Sequence, residues 1–296
     1  MSPTISLFNP ISGSQINLPP MTTIPEVVDF RPSIVGKEYL YRLYTGSVKP
    51  RSSSFLRNVM RKVVLSTSPT DDNCIAMAIQ GDISTLAFCR LGDKRWTVFG
   101  DDEDGYRRGY RDIIFFKGKF YTISADRKVQ VCDLGASPSI ITIKPPTIVG
   151  MGVCNQVYLV EMCGQLLMVA RHLHTPPPDI HKDRLNYYLT NVFEVFRLRL
   201  KQGKQRWAKV DSLGDYMLFL GRNQSFSLPA REYPGSKANC IYFTDDYSDH
   251  PNLVKIGGHD MGVFDMETGR TKLLPCYPNK TWLLLPEPLW FTPSQN

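Results

Sequence analysis

Nowhere does the 296-residue chain carry a run of the roughly 18 apolar residues that a membrane helix requires, so no membrane partner is expected. Its first twenty residues lack both the basic start and the long apolar stretch of a secretory leader. Cysteine is sparse and unpaired in pattern. The seven residues Cys74, Cys89, Cys132, Cys154, Cys163, Cys240 and Cys276 are an odd number, with no spacing tighter than Cys154 to Cys163. That excludes a disulfide framework and the C-x-x-C pairs of structural zinc, and leaves free thiols in a reducing cytoplasm, nucleus or both. Without a route to the secretory lumen, the acceptor patterns Asn223-Gln224-Ser225 and Asn279-Lys280-Thr281 carry no weight. Helical signal is almost absent too, confined to Ser54–Lys62.

What fills the chain is strand. Asp112–Phe116 and Lys119–Ile123 flank Lys117-Gly118, a hairpin signal, and Val129–Leu134 follows as a third strand. Tyr158–Cys163 and Gln165–Val169 make another hairpin about Gly164. In Phe193–Leu200 the apolar Phe193, Val195, Phe196 and Leu198 are interspersed with Glu194, Arg197 and Arg199, as in a half-buried strand. The fold class is all-β.

Two repeats organise these strands. Leu7-Phe8-Asn9-Pro10-Ile11-Ser12-Gly13 with Leu18-Pro19 matches Val263-Phe264-Asp265-Met266-Glu267-Thr268-Gly269 with Leu274-Pro275 at identical spacing, 256 residues further on. Gly92-Asp93-Lys94-Arg95-Trp96 matches Gly203-Lys204-Gln205-Arg206-Trp207, 111 residues apart. Hairpins recurring over such a length point to blades of about 40–50 residues and hence to a β-propeller. Six blades fit the length best, with five or seven open, as one domain over residues 1–296; a long β-sandwich is the competing architecture.

The net charge of +7 is concentrated. Arg31, Lys37, Arg42, Lys49, Arg51, Arg57, Arg61 and Lys62 face a single acid, Glu38, within residues 31–62, and the rest of the chain sums to zero. Around Pro50-Arg51-Ser52-Ser53-Ser54 this reads first as a solvated basic loop or insertion. The alternative is a binding patch for nucleic acid or another acidic ligand, although no nucleic-acid module accompanies it.

Catalytic readings find little support. Asp245, Asp246, Asp249, His250, His259 and Asp260 include metal-ligand types but lack a fixed ligand spacing. His172, His174 and His181 flank Pro176-Pro177-Pro178 and read as an exposed loop. There is no G-x-S-x-G elbow, and Gly150-Met151-Gly152 lacks the third glycine of a phosphate cradle. Asp101–Asp104 reads as a solvated turn. Trp96, Trp207, Trp282 and Trp290 read as packing residues rather than a binding cage. No enzyme activity, metal or cofactor is expected, and a glycan-binding or hydrolytic propeller is the remotest reading.

The strand motifs also resemble a known family. The Leu7–Gly13 turn, Leu86-Ala87-Phe88-Cys89-Arg90, Asp112–Tyr121, Ser212-Leu213-Gly214-Asp215, Leu218–Asn223, Ser225–Pro229, Asn239–Asp246, Gly258–Phe264 and Pro288–Ser294 are similar, over essentially the whole chain, to the plant F-box-associated β-propeller family, the KIB-type, kelch-like domain. That resemblance implies a protein-interaction module whose loops hold a protein partner such as a ubiquitylation substrate. Within those motifs Arg222, Asn223, His259 and Asp260 are the candidate partner contacts. No F-box precedes Met1, so direct binding to the ligase adaptor is not expected. The family's upstream strands are missing as well. The first blade is therefore expected to be incomplete, with a gap beside Leu7-Phe8 or with Trp282–Phe291 in that place.

Overall fold

A computed structural model describes residues 4–100, 109–135, 138–147, 154–174, 188–201, 204–246, 260–272, 274 and 289–291. Contacts group the chain into two compact units, residues 1–142 with 293–296 and residues 143–292. Among the described residues the strands form six sheets that follow one another along the chain.

In the first unit, β1 (Ile5–Phe8) and β2 (Gln15–Leu18) form a two-stranded sheet, and β3 (Val27–Phe30), β4 (Tyr39–Arg42) and β5 (Val48–Arg51) a three-stranded one. Helix α1 (Ser53–Val59) leads into β6 (Met60–Leu65), β7 (Ile75–Gln80), β8 (Thr85–Arg90) and β9 (Thr97–Phe99). Next come β10 (Tyr110–Phe116), β11 (Lys119–Ser124), β12 (Val129–Asp133) and β13 (Ser139–Ile143). The second unit holds β14 (Cys154–Met162), β15 (Gln165–His174), β16 (Leu189–Lys201) and β17 (Lys204–Val210), then β18 (Tyr216–Leu220), β19 (Phe226–Pro229), β20 (Cys240–Phe243), β21 (Gly262–Asp265) and β22 (Arg270–Lys272). The three four-stranded sheets run in chain order. The last sheet departs from that plan: its order is β19-β18-β20-β21-β22, with β18 parallel to β20.

The helix begins where Ser52 accepts the Phe55 amide at 3.3 Å, relieving an unpaired donor of the first turn. It stops at Val59; Met60–Lys62, part of the expected helix, instead open β6, whose Val63 and Val64 pair across to Ala78 and Met77. The basic segment 31–62 is likewise not one loop. It supplies β4, β5, α1 and the start of β6.

Turn chemistry follows the sequence closely. Lys117-Gly118 and Cys163-Gly164 are two-residue hairpin loops with both residues at positive φ (47° and 78°, 50° and 69°). Such loops match the right-handed twist of the flanking strands. Gly203 lies outside the described residues; its repeat partner Gly92 joins the third and fourth strands of its sheet, and β16 and β17 pair up to Lys201↔Lys204. The 256-residue repeat holds at the level of single atoms. Asn9 Oδ1 accepts the amides of Ile11 and Ser12 at 2.9 and 3.2 Å, and Gly13 donates back to the Asn9 carbonyl. Asp265 Oδ1 accepts those of Glu267 and Thr268 at 2.9 and 3.2 Å, and Gly269 donates to the Asp265 carbonyl.

The two turns differ in charge. Lys237 bonds the Asp265 carboxylate, and this contact, with the turn amides, holds its pKa down to about 2. A folded-state pKa below the unfolded value of roughly 4 contributes stability above that pH, lost as pH falls towards about 2. Asp265→Asn should therefore keep the turn, as Asn9 does, but lose this part of the acid sensitivity. Urea midpoints across that pH range measure it; an unchanged acid dependence contradicts the assignment.

Alternation builds the cores. In the second unit Tyr158, Val160, Leu167, Val169, Phe193 and Val195 of one sheet meet Leu218, Leu220, Ile241, Phe243 and Phe264 of the next. Each such side chain fully buried contributes on the order of 1.5–3 kcal/mol. The central strand β15 is buried on both faces from Leu166 to Leu173, which is why its sequence runs apolar rather than alternating.

Candidate functional site

One residue breaks the apolar run of β15. Arg171 follows Leu166-Leu167-Met168-Val169-Ala170 and is 0% exposed. A buried guanidinium survives only if its donors and charge are matched, and here they are. Nε donates to Thr190 Oγ1 at 2.8 Å. Nη1 donates to the Thr244 carbonyl and Asp246 Oδ1, both at 2.9 Å, and to the Tyr158 hydroxyl at 3.2 Å. Nη2 takes the Asp260 carbonyl at 3.0 Å and its Oδ2 at 2.9 Å. The guanidinium carbon stands 4.7 Å from the centre of the Phe243 ring. Burial by itself would lower the pKa of Arg171, but Tyr158, Asp260 and Asp246 together raise it well above its ordinary value. The cation is permanent.

Two phenols complete the cluster. Tyr158 donates to Asp246 Oδ1 at 2.9 Å and Tyr188 to Asp245 Oδ1. Burial, reinforced by the neighbouring carboxylates, pushes both phenols up, so both stay protonated donors. Thr190 closes the ring by donating to Asp260 Oδ2 at 2.8 Å. The chemistry is that of a clamp: one cation ties β14, β15 and the start of β16 to Thr244–Asp246 beyond β20 and to Asp260 ahead of β21. With no exposed surface, Arg171 cannot meet a substrate.

Thr244 joins this clamp to a second feature on the other side of the sheet. Its carbonyl faces Arg171, while its amide donates to the Leu220 carbonyl at 3.1 Å. The same carbonyl accepts the indole N–H of Trp290 at 2.8 Å. Trp290 lies perpendicular to Phe219, centroids 5.1 Å apart, and Phe219 is stacked between Phe226 and Tyr242 at 5.0 and 4.8 Å. Asn223 Nδ2 donates to the Trp290 carbonyl at 2.6 Å.

The sequence candidates are thus redistributed. Asp260, expected to touch a partner, is buried in the clamp. Charge pairing to Arg171 outweighs exposure there, and a partner cannot reach it. Asn223 holds the Trp290 backbone, Arg222 is half-buried, and His259 lies outside the described residues. Of the acids considered for a metal, Asp245, Asp246 and Asp260 do converge, but on phenols and a guanidinium; Asp249 and His250 lie outside the described residues. Among the described residues no group of three or more His, Cys, Asp or Glu is placed to hold a metal ion. His172 is no loop residue: it is buried in β15 with Nε2 2.9 Å from Glu194 Oε2, while His174 is exposed and His181 lies outside the described residues. Trp96 packs with its indole N–H on the Pro19 carbonyl at 3.0 Å. Trp282, Gly150–Gly152 and Asp101–Asp104 lie outside the described residues. Burial raises the thiols of Cys89 and Cys132 to about 12, which makes them unreactive.

The basic residues are spread over different surroundings. Arg31 is exposed and pairs with Asp29 at 2.7 Å; Arg51 lies over the Phe55 ring at 4.7 Å; Lys62 is buried against Asp112. Across the β4–β5 register, Lys49 and Arg51 oppose Tyr41 and Tyr39, whereas Arg42 opposes Val48, so the charges divide between the two faces of the sheet. Lys37 is exposed and Arg61 half-buried; the side chain of Arg57 lies outside the described set.

Comparison with known proteins decides the family: a KIB1-4 β-propeller family model matches residues 1–265. The chain belongs to the KIB1-4 β-propeller family. The fold is accordingly a β-propeller, and its four-stranded antiparallel sheets are consistent with propeller blades. Curated relatives from Arabidopsis thaliana are F-box proteins. The chain is 28% identical to F-box protein At2g17036 over 229 residues, 76% of this chain and 55% of that protein. It is 23% identical to F-box protein SKIP23 over 300 residues, 97% and 70% respectively. It is 25% identical to putative F-box protein At5g55150 over 286 residues, 96% and 74%. The chain thus spans about half the length of the first of these and roughly three-quarters or less of the other two. Its propeller domain is one found in F-box proteins, which suggests a protein-interaction module.

Proposed function

We propose that the chain is the partner-selecting propeller of a ubiquitin-ligase receptor, holding a protein destined for ubiquitylation and working in the cytoplasm, the nucleus or both. The observation that carries this reading is the family match over residues 1–265 together with F-box relatives that align along nearly the whole chain. The clamp supports it physically. The converging carboxylates are spent on holding backbone segments in place, which suits a binding scaffold better than a reaction centre. Nucleic acid is left aside, because the basic segment is divided between buried, stacked and oppositely facing residues rather than gathered into one patch.

The test is to capture proteins on the tagged chain in plant cells under proteasome inhibition. A captured partner should carry polyubiquitin, and its half-life should lengthen when the gene for this chain is disrupted. Captured proteins with unchanged ubiquitylation and half-life contradict the receptor reading.

A further inference from the structure

The Trp290 contact has the features of a ligand site more than of core packing. The segment Leu289–Phe291 touches the last sheet through one indole and one backbone carbonyl, while its flanking side chains are 59% and 57% exposed. The receiving surface is shaped for that indole. A Cβ on Gly221 would stand 2.8 Å from Trp290 Cδ1 and 3.3 Å from Nε1, so only glycine admits the ring. The Leu220 carbonyl is aimed at the N–H, and Phe219, in the Phe226–Phe219–Tyr242 row, meets the indole in a perpendicular ring contact. Yet the occupant leaves polar atoms of the same wall unmatched. Thr244 Oγ1, which would lie 3.1 Å from a Gly221 Cβ, is buried without a hydrogen-bond partner among the described residues, as is Asn223 Oδ1. Asn223 Nδ2 is committed to a carbonyl, and its Oδ1, an amide oxygen that only accepts, is left needing a donor. Buried polar atoms without partners are costly, and a ligand that supplied a donor there would bind better than the Trp290 segment does.

We propose that Phe219, Leu220, Gly221, Asn223 and Thr244 form a binding slot for an extended peptide bearing a tryptophan with a hydrogen-bond donor beside it. The slot is occupied in cis by Trp290 and opens to a partner's tryptophan segment when Trp290 leaves. This stands independently of the ubiquitin-ligase reading, since it needs only a peptide partner.

The test uses the full chain and a labelled nonapeptide with the sequence of residues 286–294. Trp290→Ala should bind it saturably in fluorescence anisotropy, and the wild type at least about tenfold more weakly, the factor that roughly 1.4 kcal/mol of cis occupancy produces. The peptide with alanine in place of tryptophan should not bind, and adding Gly221→Ala to Trp290→Ala should abolish binding by filling the slot. Should Trp290→Ala fail to fold, Trp290→Phe keeps the packing but loses the N–H bond, and should bind the peptide more tightly than the wild type does. A folded Trp290→Ala or Trp290→Phe chain that ignores the peptide, or equal binding by wild type and variant, overturns the proposal.

Discussion

Replacing Arg171 by leucine is expected to cost the folded chain about 3–5 kcal/mol, the usual penalty for leaving buried charge without its partner. Leucine keeps the apolar character of a strand buried on both faces. The loss arises because Asp246 and Asp260 remain buried once the guanidinium between them is gone. Arg171→Lys restores charge but not the six bonds of the planar fork, and should recover only part. The discriminating variant is the triple Arg171→Leu, Asp246→Asn, Asp260→Asn, which removes the stranded charges and should regain stability over the single change. Urea unfolding followed by circular dichroism reads all three. A single change costing less than about 1 kcal/mol, or a triple variant less stable than Arg171→Leu, would show that the clamp is not an electrostatic unit.

The uneven legibility of this molecule has a physical basis. Local chemistry was readable. Lys117-Gly118 and Cys163-Gly164 required positive φ, and the Asn9 and Asp265 turns share a hydrogen-bond pattern encoded in seven consecutive residues. Strand content was readable for the same reason, and the family motifs carried the propeller. What the sequence hid was distance. Arg171 meets Asp246 and Asp260 across 75 and 89 residues, and nothing local marks those aspartates as structural. One signal was available, a lone arginine after five apolar residues, which in a strand buried on both faces has to find its counter-charges inside. The parallel pairing of β18 with β20 was hidden too, because the intervening hairpin β18–β19 reads as an ordinary meander. The basic segment misled in the opposite direction: its composition suggested a loop, but composition does not record that Tyr39 and Tyr41 alternate inward and anchor β4.

Lys62 gives the sharpest separation between charge that folds the chain and charge left on its surface. It ends the run of basic residues from Arg31 and in sequence is indistinguishable from them. In the first unit, however, its ammonium is buried on Asp112 of β10, whose Oδ1 also accepts the Ile113 amide at 2.8 Å. The pair therefore fastens β6 to the next sheet at a point where neither group reaches water. Lys62→Met retains the length and apolar stem but leaves the carboxylate buried beside a thioether, so about 3–5 kcal/mol should be lost. Arg42→Ala and Lys49→Ala, both at exposed positions, should each stay within about 0.5 kcal/mol. Asp112→Asn combined with Lys62→Met should recover part of the deficit, which a lost surface charge would not. Chemical denaturation supplies these values. Polyanion binding measured against salt adds a second axis, since a true phosphate contact flattens the salt slope by about one unit when removed. If Lys62→Met leaves stability intact but flattens that slope, the lysine belongs to a binding surface and the buried-pair assignment fails; a collapse in stability with no change in slope per folded molecule places it in the core.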